Sequence, residues 1–259
     1  MTRLLFSVTL GLVLLGRSLS AAVVFDSGGF EGYANGGLLN QFGWVDFNPP
    51  NANRFSVQSS VSNGGTRAVA VTDPSAVAAF IAPAVNYTPV AGELVLVEVD
   101  IARNFAQFPF QASSPGFAVD IYDPNGNRIA GFGLGMTANN SAIRPFVTRG
   151  DGLTVTGVED DLALTVATNQ FVSFKAELDF GANQFRLFAN GTDMTGLLPF
   201  VNNASVLGDA DLQHDSAVGA QDVGYFDNYR ITTVTAVPEP GSGLACVTVL
   251  LGVVTRRRR

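Results

Sequence analysis

The chain has 259 residues, of which 47% are hydrophobic, and it carries 22 acidic side chains against 15 basic ones. This apolar content is enough to bury a core, which excludes a disordered chain. The acidic balance excludes nucleic acid as a partner, because nucleic-acid binding depends on clustered lysine and arginine.

Residues 1–22 are predicted to be a secretory signal peptide. Arg3 supplies the positive start, residues 4–16 are an apolar stretch, and Ser20 and Ala22 are the small residues that cleavage requires. Without this segment and the C-terminal tail, nine basic and 21 acidic residues remain, a net charge near −12. Such an acidic body suits calcium and tolerates neutral polysaccharide, although solubility alone is the alternative explanation.

Residues 23–234 are predicted to form one all-β domain. Short alternating runs, frequent glycine and Asn-Gly or Asp-Pro turns fill this part of the chain. In the stretch FAVDIYDPNGNRIAGFGL, Phe117, Val119 and Ile121 alternate with Asp120 and Tyr122 before a turn, which predicts a hairpin.

A second hairpin is predicted in FVSFKAELDFGANQFRLFANG. Apolar and charged residues alternate there, with Phe174, Ala176, Leu178 and Phe180 on one face and Lys175, Glu177 and Asp179 on the other. Further strands are predicted at residues 68–72, 94–102, 154–158 and 224–233. Strands at this spacing predict a two-sheet antiparallel sandwich.

Three stretches, VVFDSGGFEGY, FKAELDFGANQFRLFANGT and VGYFDNYRITTV, together resemble concanavalin-type and laminin-G-type jelly rolls. The resemblance covers residues 23–234 and implies a jelly-roll fold with a carbohydrate-binding role. In many such domains a structural calcium ties the terminal strands together. Its oxygen ligands here would be Asp26, Glu31, Asp227 and Asn228. Solvated carboxylates that flank strands are the alternative.

Aromatic side chains are candidates for a sugar platform. Trp44, Tyr33 and Tyr87, together with Phe42 and Phe47, lie in loop-like stretches, where their rings would stack on the apolar faces of a glycan. The alternative is that these rings fill the core, as most aromatic side chains do.

The strand EVDIAR, residues 98–103, resembles the E-x-D-x-x-E strand of laminarinase-like glycoside hydrolases, which use two glutamates for catalysis. Glu98 and Asp100 share one strand face. Arg103 replaces the second glutamate and cannot donate the proton, so it is expected to pair with Glu98 instead. A distant acid such as Glu93 or Asp120 could take that role. Overall, the chain is predicted not to be an enzyme.

Two other groups of polar residues are predicted to lie in loops. His214 is the only histidine, so a zinc site with a second histidine is excluded, and its neighbours Asp215 and Ser216 are not expected to converge with it on a catalytic triad. The acidic run of residues 159–161 is a second place where calcium or plain solvation explains the charges.

The C-terminal tail, VPEPGSGLACVTVLLGVVTRRRR, differs from the rest of the chain. It resembles the PEP-CTERM sorting signal of exported Gram-negative proteins, which joins a Pro-Glu-Pro motif, an apolar helix and a terminal arginine cluster; the residues that carry it are Pro238, Glu239, Pro240, Arg256, Arg257, Arg258 and Arg259. Residues 241–255 are short for a permanent transmembrane helix, although an anchor of that kind is the alternative.

This resemblance implies an address for the protein. An exosortase would hold the tail transiently in the inner membrane and cleave it near the Pro-Glu-Pro motif, which leaves the body at the cell surface or in the extracellular matrix. The sequence thus predicts an exported, non-catalytic protein that binds extracellular polysaccharide through a lectin-like sandwich. A glycan-active enzyme of laminarinase-like type and a ligand-free structural protein are the alternatives.

Overall fold

The chain folds as a sandwich of two antiparallel sheets, as predicted for its central part. The computed structural model describes residues 21–46, 54–72, 78–104, 116–136, 142–154, 156–214 and 222–235. Residues 1–20 of the predicted signal peptide, Phe47, Asp215, Ser216 and the sorting tail lie outside these ranges, whereas Ala22, the last residue of that prediction, begins a strand. Among the described residues, no helix has the length and apolar character that a membrane span requires.

The described ranges contain seventeen strands and one short 3-10 helix at Gly28–Phe30. In chain order the strands are β1 Ala22–Asp26, β2 Gly36–Gly37, β3 Trp44–Asp46, β4 Phe55–Gln58, β5 Ala68–Thr72, β6 Ala79–Pro83, β7 Glu93–Asn104, β8 Phe117–Tyr122, β9 Arg128–Met136, β10 Ile143–Arg149, β11 Val158–Asp161, β12 Val172–Asp179, β13 Gln184–Ala189, β14 Thr192–Asp193, β15 Leu198–Pro199, β16 Asp209–His214 and β17 Val223–Thr235.

The strands divide between a ten-stranded and a seven-stranded sheet. The larger sheet has the spatial order β14-β13-β12-β7-β17-β5-β4-β2, with β1 paired to β17 and β15 paired to β13. The smaller sheet has the order β11-β10-β9-β8-β16-β6-β3. The chain crosses between the sheets repeatedly, so residues that are distant in sequence become neighbours.

Both predicted hairpins are confirmed. β8 pairs with β9 across the turn at residues 123–127, where the Asp123 side chain accepts backbone hydrogen bonds from Asn125 and Asn127. β12 pairs with β13, and its apolar alternate residues are buried against the opposite sheet while Lys175 and Glu177 leave the core. The period-two pattern thus identified the inward face of each strand.

Two predictions about loops and strands are wrong. The strand predicted at residues 154–158 is not found in its described part, because Thr154, Thr156 and Gly157 lie outside any strand and only Val158 belongs to one, as the first residue of β11. The Asp151 side chain accepts the N–H groups of Leu153 and Thr154, each at 2.8 Å, and Gly157 has a φ of 77°. The acidic run that follows is not a loop, because it forms β11 at the edge of the smaller sheet, paired with β10.

His214 is also not in a surface loop. It ends β16, its side chain is fully buried, and its ring centroid lies 5.4 Å from that of Phe117. The strand β16 pairs with β8 over its full length, which places this histidine on the inward face. A buried histidine of this kind belongs to the packing of the core.

Candidate active site

The outer face of the seven-stranded sheet carries buried polar side chains. Because Phe117, Val119 and Ile121 of β8 point into the core, Asp120 must lie on the opposite face, yet it is only 2% exposed. Asp211 and Gln213 of β16 occupy the same face and are 5% and 6% exposed. A sheet face that shields its polar groups this well is recessed, as ligand sites are.

The register of the sheet places these groups in one row. Asp211 of β16 lies directly opposite Asp120 of β8, and Asp120 lies opposite Gly131 of β9. Thr148 of β10 and Glu159 of β11 continue the row. Gly131 has a steric role, because a Cβ atom at that position would collide with Oδ1 of Asp120. The row therefore places the carboxyl groups of Asp120 and Asp211 side by side, and Gly131 leaves the space next to Asp120 free of a side chain.

Asp120 is held in an ion pair. Arg128 of β9 donates a hydrogen bond of 2.5 Å to Oδ2 of Asp120, and the Tyr122 hydroxyl donates to the same oxygen at 3.3 Å. Burial, and then the charge of Asp120, raise the pKa of Tyr122 well above its ordinary value, so the hydroxyl keeps its proton. Burial alone would lower the pKa of Arg128, but the attraction of Asp120 raises it on balance. Asp120 is thus surrounded by donors that favour its ionised form.

Asp211 has the opposite environment. Burial, and then repulsion from Asp209 and Asp120, raise the pKa of Asp211 to about 9, so this carboxyl group is protonated at neutral pH. Burial also raises the pKa of Asp209 to about 6, and the two groups share a hydrogen bond. In catalysis, a protonated carboxyl group beside an ionised one provides an acid next to a base.

A narrow cavity lies along part of this row, beside Asp120, Thr148 and Glu159, and Asp211 is not among the residues that line it. It has a volume of about 70 Å³ and is lined by Asp120, Arg128, Thr148, Glu159 and Gln213, among others. This space matches about two water molecules, which occupy about 30 Å³ each in the liquid. It accommodates hydroxyl groups of a ligand that lies over the face.

The laminarinase-like pair lies on the other sheet. Glu98 and Asp100 do share the outer face of β7, as predicted, and they line one groove. The expected pairing of Glu98 with Arg103 is wrong, because an unbroken strand puts positions 98 and 103 on opposite faces. Arg230 of β17 binds Glu98 instead, and Arg103 enters the core, where it contacts Asp222 at 2.6 Å.

The proposed calcium ligands lie close to this groove. Asp227 is buried, and its two oxygens accept the N–H groups of Asn63 and Asn228, each at 2.7 Å. Burial raises the pKa of Asp227 to about 6, and the charges of Asp100 and Glu31 add to the effect.

The remaining acidic candidates are bound to nearby donors. Oε1 of Glu31 accepts the N–H groups of Thr66 and Arg67. A hydrogen bond from the Thr66 hydroxyl is the largest cause that lowers the pKa of Glu31, and these two backbone bonds add to it. Asp26 accepts the N–H of Gly28 at 2.7 Å. Within the described ranges, no three His, Cys, Asp or Glu side chains approach closely enough to hold a metal ion. Calcium therefore stays a prediction.

Two of the three aromatic candidates are not at the surface. Trp44 and Tyr33 are 0% and 4% exposed, and Nε1 of Trp44 donates to the Tyr33 hydroxyl at 3.1 Å inside an aromatic cluster of the core. The prediction that they form a sugar platform is wrong, because their rings fill the space between the sheets. Tyr87 is half-buried and donates to Glu93 at 2.8 Å, and Phe42 is exposed.

Several residues of the recessed face were missed by the sequence reasoning. The stretch DADLQH alternates polar and apolar residues, which is a signal for a strand with Asp209, Asp211 and Gln213 on one face. Arg128 follows the turn of the predicted hairpin, so its place beside Tyr122 and Asp120 was also open to prediction from that hairpin.

Comparison with solved structures supports the fold. An endo-1,3-β-glucanase from Streptomyces sioyaensis superposes with a TM-score of 0.51 at 15% identity, over 83% of this chain and 97% of that one. The catalytic domain of a glycoside hydrolase family 131 protein from Coprinopsis cinerea gives 0.49 at 14% identity, over 84% and 98% of the two chains. A sialidase gives 0.47 at 12% identity over 76% of this chain, which spans only 18% of that chain's length.

No protein family matches the chain, and no curated protein is significantly similar to it. The likeness to the glucanase establishes the shared fold. It also corrects one prediction: the expectation that the chain is not an enzyme is overturned, because the sandwich that was taken for a binding module is equally the fold of a polysaccharide-cleaving enzyme.

Proposed function

We propose that the protein is a glycan-active enzyme that hydrolyses glycosidic bonds on the outer face of its seven-stranded sheet. The observation that carries this proposal is the pairing of Asp120 with Asp211, which lie directly opposite each other on β8 and β16 and have opposite environments. Glycoside hydrolysis needs one protonated and one ionised carboxyl group on either side of the scissile bond. Asp211 meets the first requirement and Asp120 the second.

The geometry favours hydrolysis with retention of configuration. Directly opposed residues in an antiparallel pair have Cβ atoms about 5 Å apart, and retaining enzymes hold their two carboxyl groups about 5 Å apart. In the first step the Asp120 carboxylate attacks the anomeric carbon while the leaving oxygen takes the proton of Asp211. In the second step the Asp211 carboxylate removes a proton from water, and this water cleaves the ester bond to Asp120.

The neighbours of the pair support these roles. Arg128 and the Tyr122 hydroxyl hold one oxygen of Asp120, which orients the carboxylate and favours its ionised form. Burial, and then charge repulsion from Asp209, raise the pKa of Asp211, which keeps this acid protonated near neutral pH. Both effects require a site with little water, and the burial of Asp120 and Asp211 satisfies that requirement.

The substrate class follows from charge and from the fold. The carboxylates of Asp120, Asp209 and Glu159 make this face acidic, and Arg128 is already engaged by Asp120, so a polyuronate would be repelled. An uncharged glucan is compatible with the face, and the fold is shared with an endo-1,3-β-glucanase. We therefore propose a neutral β-glucan as the substrate.

We further propose that this chemistry takes place outside the cell. The signal peptide over residues 1–22 would export the chain, and the tail with Pro238 to Pro240 and Arg256 to Arg259 would deliver it through an exosortase. An extracellular polysaccharide is then the substrate that the protein meets after its release from the inner membrane.

The test is release of reducing sugar from β-1,3-glucan by the purified full-length protein. We expect Asp211→Asn and Asp120→Asn each to lower the rate by about a hundredfold or more. Asp193→Asn, in an exposed turn, is the matched control and should leave the rate unchanged. NMR of the first product should show the anomeric configuration of the substrate, whereas an inverted product would reject Asp120 as the nucleophile. Equal rates for wild type and Asp211→Asn would refute the proposed site.

A further inference from the structure

We propose that a groove on the outer face of the ten-stranded sheet is a second saccharide-binding site, which binds a short segment of an uncharged glycan. The groove has a volume of about 660 Å³, within the range of ligand sites in proteins. The whole hydrophobic core separates this groove from Asp120 and Asp211, because the groove and these two residues lie on the outer faces of opposite sheets. This inference does not depend on the proposed catalytic function.

An aromatic ring on the solvent side of β13 is the first observation. Phe185 and Leu187 point into the core, so Phe188 lies on the outer face, where polar residues are the rule. The Phe188 ring is half-buried, lines the groove and lies 4.2 Å from the ammonium group of Lys175, measured to the ring centroid. Because the ammonium lies over one face of the ring, a sugar would contact the remaining apolar surface of Phe188 with the Lys175 donors beside it.

Each of the two cations that line the groove is paired with a carboxylate. Arg230 donates two hydrogen bonds, of 3.0 and 2.7 Å, to the same oxygen of Glu98, and Lys175 donates one of 2.6 Å to Glu177. A charged ligand would have to compete with these pairs. The hydroxyl groups of a neutral sugar donate to carboxylates and accept from cations, so they bind without separating the charges.

The polar floor of the groove is held in place by hydrogen bonds. Oδ2 of Asp100 accepts the side-chain N–H groups of Asn63 and Asn228, at 2.8 and 2.7 Å. The bulge in β17 between Asp227 and Arg230 gives Asn228 a φ of 50° and sets its amide beside Asp100. Polar groups that are fixed in this way bind with a smaller loss of conformational entropy.

Glycine residues keep the walls of the groove low. Gly28 has a φ of 58° and Gly191 a φ of 78°, and a Cβ atom at either position would meet nothing within 4 Å. Both positions border open space, and larger side chains there would project into it. The groove is therefore accessible to a segment of a long polymer as well as to a free oligosaccharide.

Lys175 is the only lysine of the chain and lines this groove, which permits a direct test. Reductive methylation with ¹³C-formaldehyde labels its ammonium group and keeps the charge. The full-length protein, in an Asp211→Asn background that slows turnover, is titrated with laminarihexaose, a linear β-1,3-glucan of six units, and the Lys175 methyl signal is followed by NMR. We expect a saturable shift of that signal.

The variant Phe188→Ala should weaken this binding about tenfold, the effect expected for loss of an aromatic contact. Phe42→Ala removes another exposed ring and is the matched control, which should bind like the parent protein. An oligomannuronate of equal length should cause no saturable shift. An unchanged Lys175 signal with laminarihexaose, equal binding by Phe188→Ala, or tighter binding of the oligomannuronate would each overturn the proposal. None of these outcomes affects the turnover test of Asp211.

Discussion

Arg103 and Asp222 form an ion pair of 2.6 Å, and almost no solvent reaches either side chain. The pair joins the end of β7 to the residue just before β17, and the Arg103 guanidinium also lies 5.3 Å from the centroid of the Phe117 ring. Burial lowers the pKa of Arg103, and Asp222 opposes this effect. A buried cation requires such a partner, because desolvation without one is costly.

Loss of one partner should therefore destabilise the protein strongly. We expect Asp222→Ala to lower the free energy of unfolding by about 3–5 kcal/mol, because the Arg103 charge stays buried. The surface pair of Arg149 with Asp160 is the control, since both side chains are partly exposed, and Asp160→Ala should cost at most about 1 kcal/mol. Urea denaturation of the three proteins measures both differences, and similar costs for the two variants would contradict the prediction.

The second prediction concerns stability and pH. Asp211 has a pKa of about 9 in the folded protein, against 3.8 for the free side chain, so the folded state binds one more proton than the unfolded state between these values. Stability must then fall as the pH rises through this window, by at most about 1.4 kcal/mol per pH unit. Asp211→Asn has no such proton and should show a flatter dependence.

The same measurement separates Asp211 from its neighbours. Asp209 and Asp227 each have a pKa of about 6 and contribute little above that value, so unfolding at about pH 6.5 to 8.5 isolates Asp211. Asp193→Asn should follow the wild type across this range, because hydrogen bonds from Gly196 and Thr195 lower the pKa of Asp193. Parallel curves for wild type and Asp211→Asn would show that Asp211 is ionised in the folded state.

The third prediction concerns the pH dependence of turnover. In the proposed mechanism Asp211 donates its proton in the first step, so kcat/KM for β-1,3-glucan should fall as the pH rises through about 9. Initial rates across about pH 5 to 10 provide the profile. A decline that is already complete at pH 7 would mean that another group supplies the proton.

The fourth prediction concerns the tail. Exosortase processing near Pro238 to Pro240 should remove the apolar segment and the arginine cluster, so the mature protein should lack Arg259. Replacement of Arg256 to Arg259 by neutral residues should impair membrane retention and processing, because the cytoplasmic positive charge is lost. Intact mass spectrometry of the secreted protein measures this directly, and a mature wild-type mass that includes Arg259 would reject cleavage.

Much of the sandwich was predictable because strand alternation is a local property. Each of the two hairpins contains its turn and both of its strands in one continuous stretch, so the inward residues, such as Val119 and Leu178, follow from period two alone. The same rule, applied strictly, separates Glu98 from Arg103, since the two residues are five positions apart on an unbroken strand and an odd separation places them on opposite faces.

The candidate site depended on tertiary structure. Asp120 and Asp211 belong to strands that are distant in the chain, and only the register of β8 against β16 makes them neighbours. Their environments also come from packing: Arg128 and Tyr122 hold one carboxyl group, whereas burial and Asp209 act on the other. The sequence by itself determined which side chains leave the core, because alternation is encoded residue by residue. Only the fold decided which of these side chains meet, because the register between distant strands is a long-range property. Only the fold decided which of them are shielded from water, and this burial sets the charge of a carboxyl group.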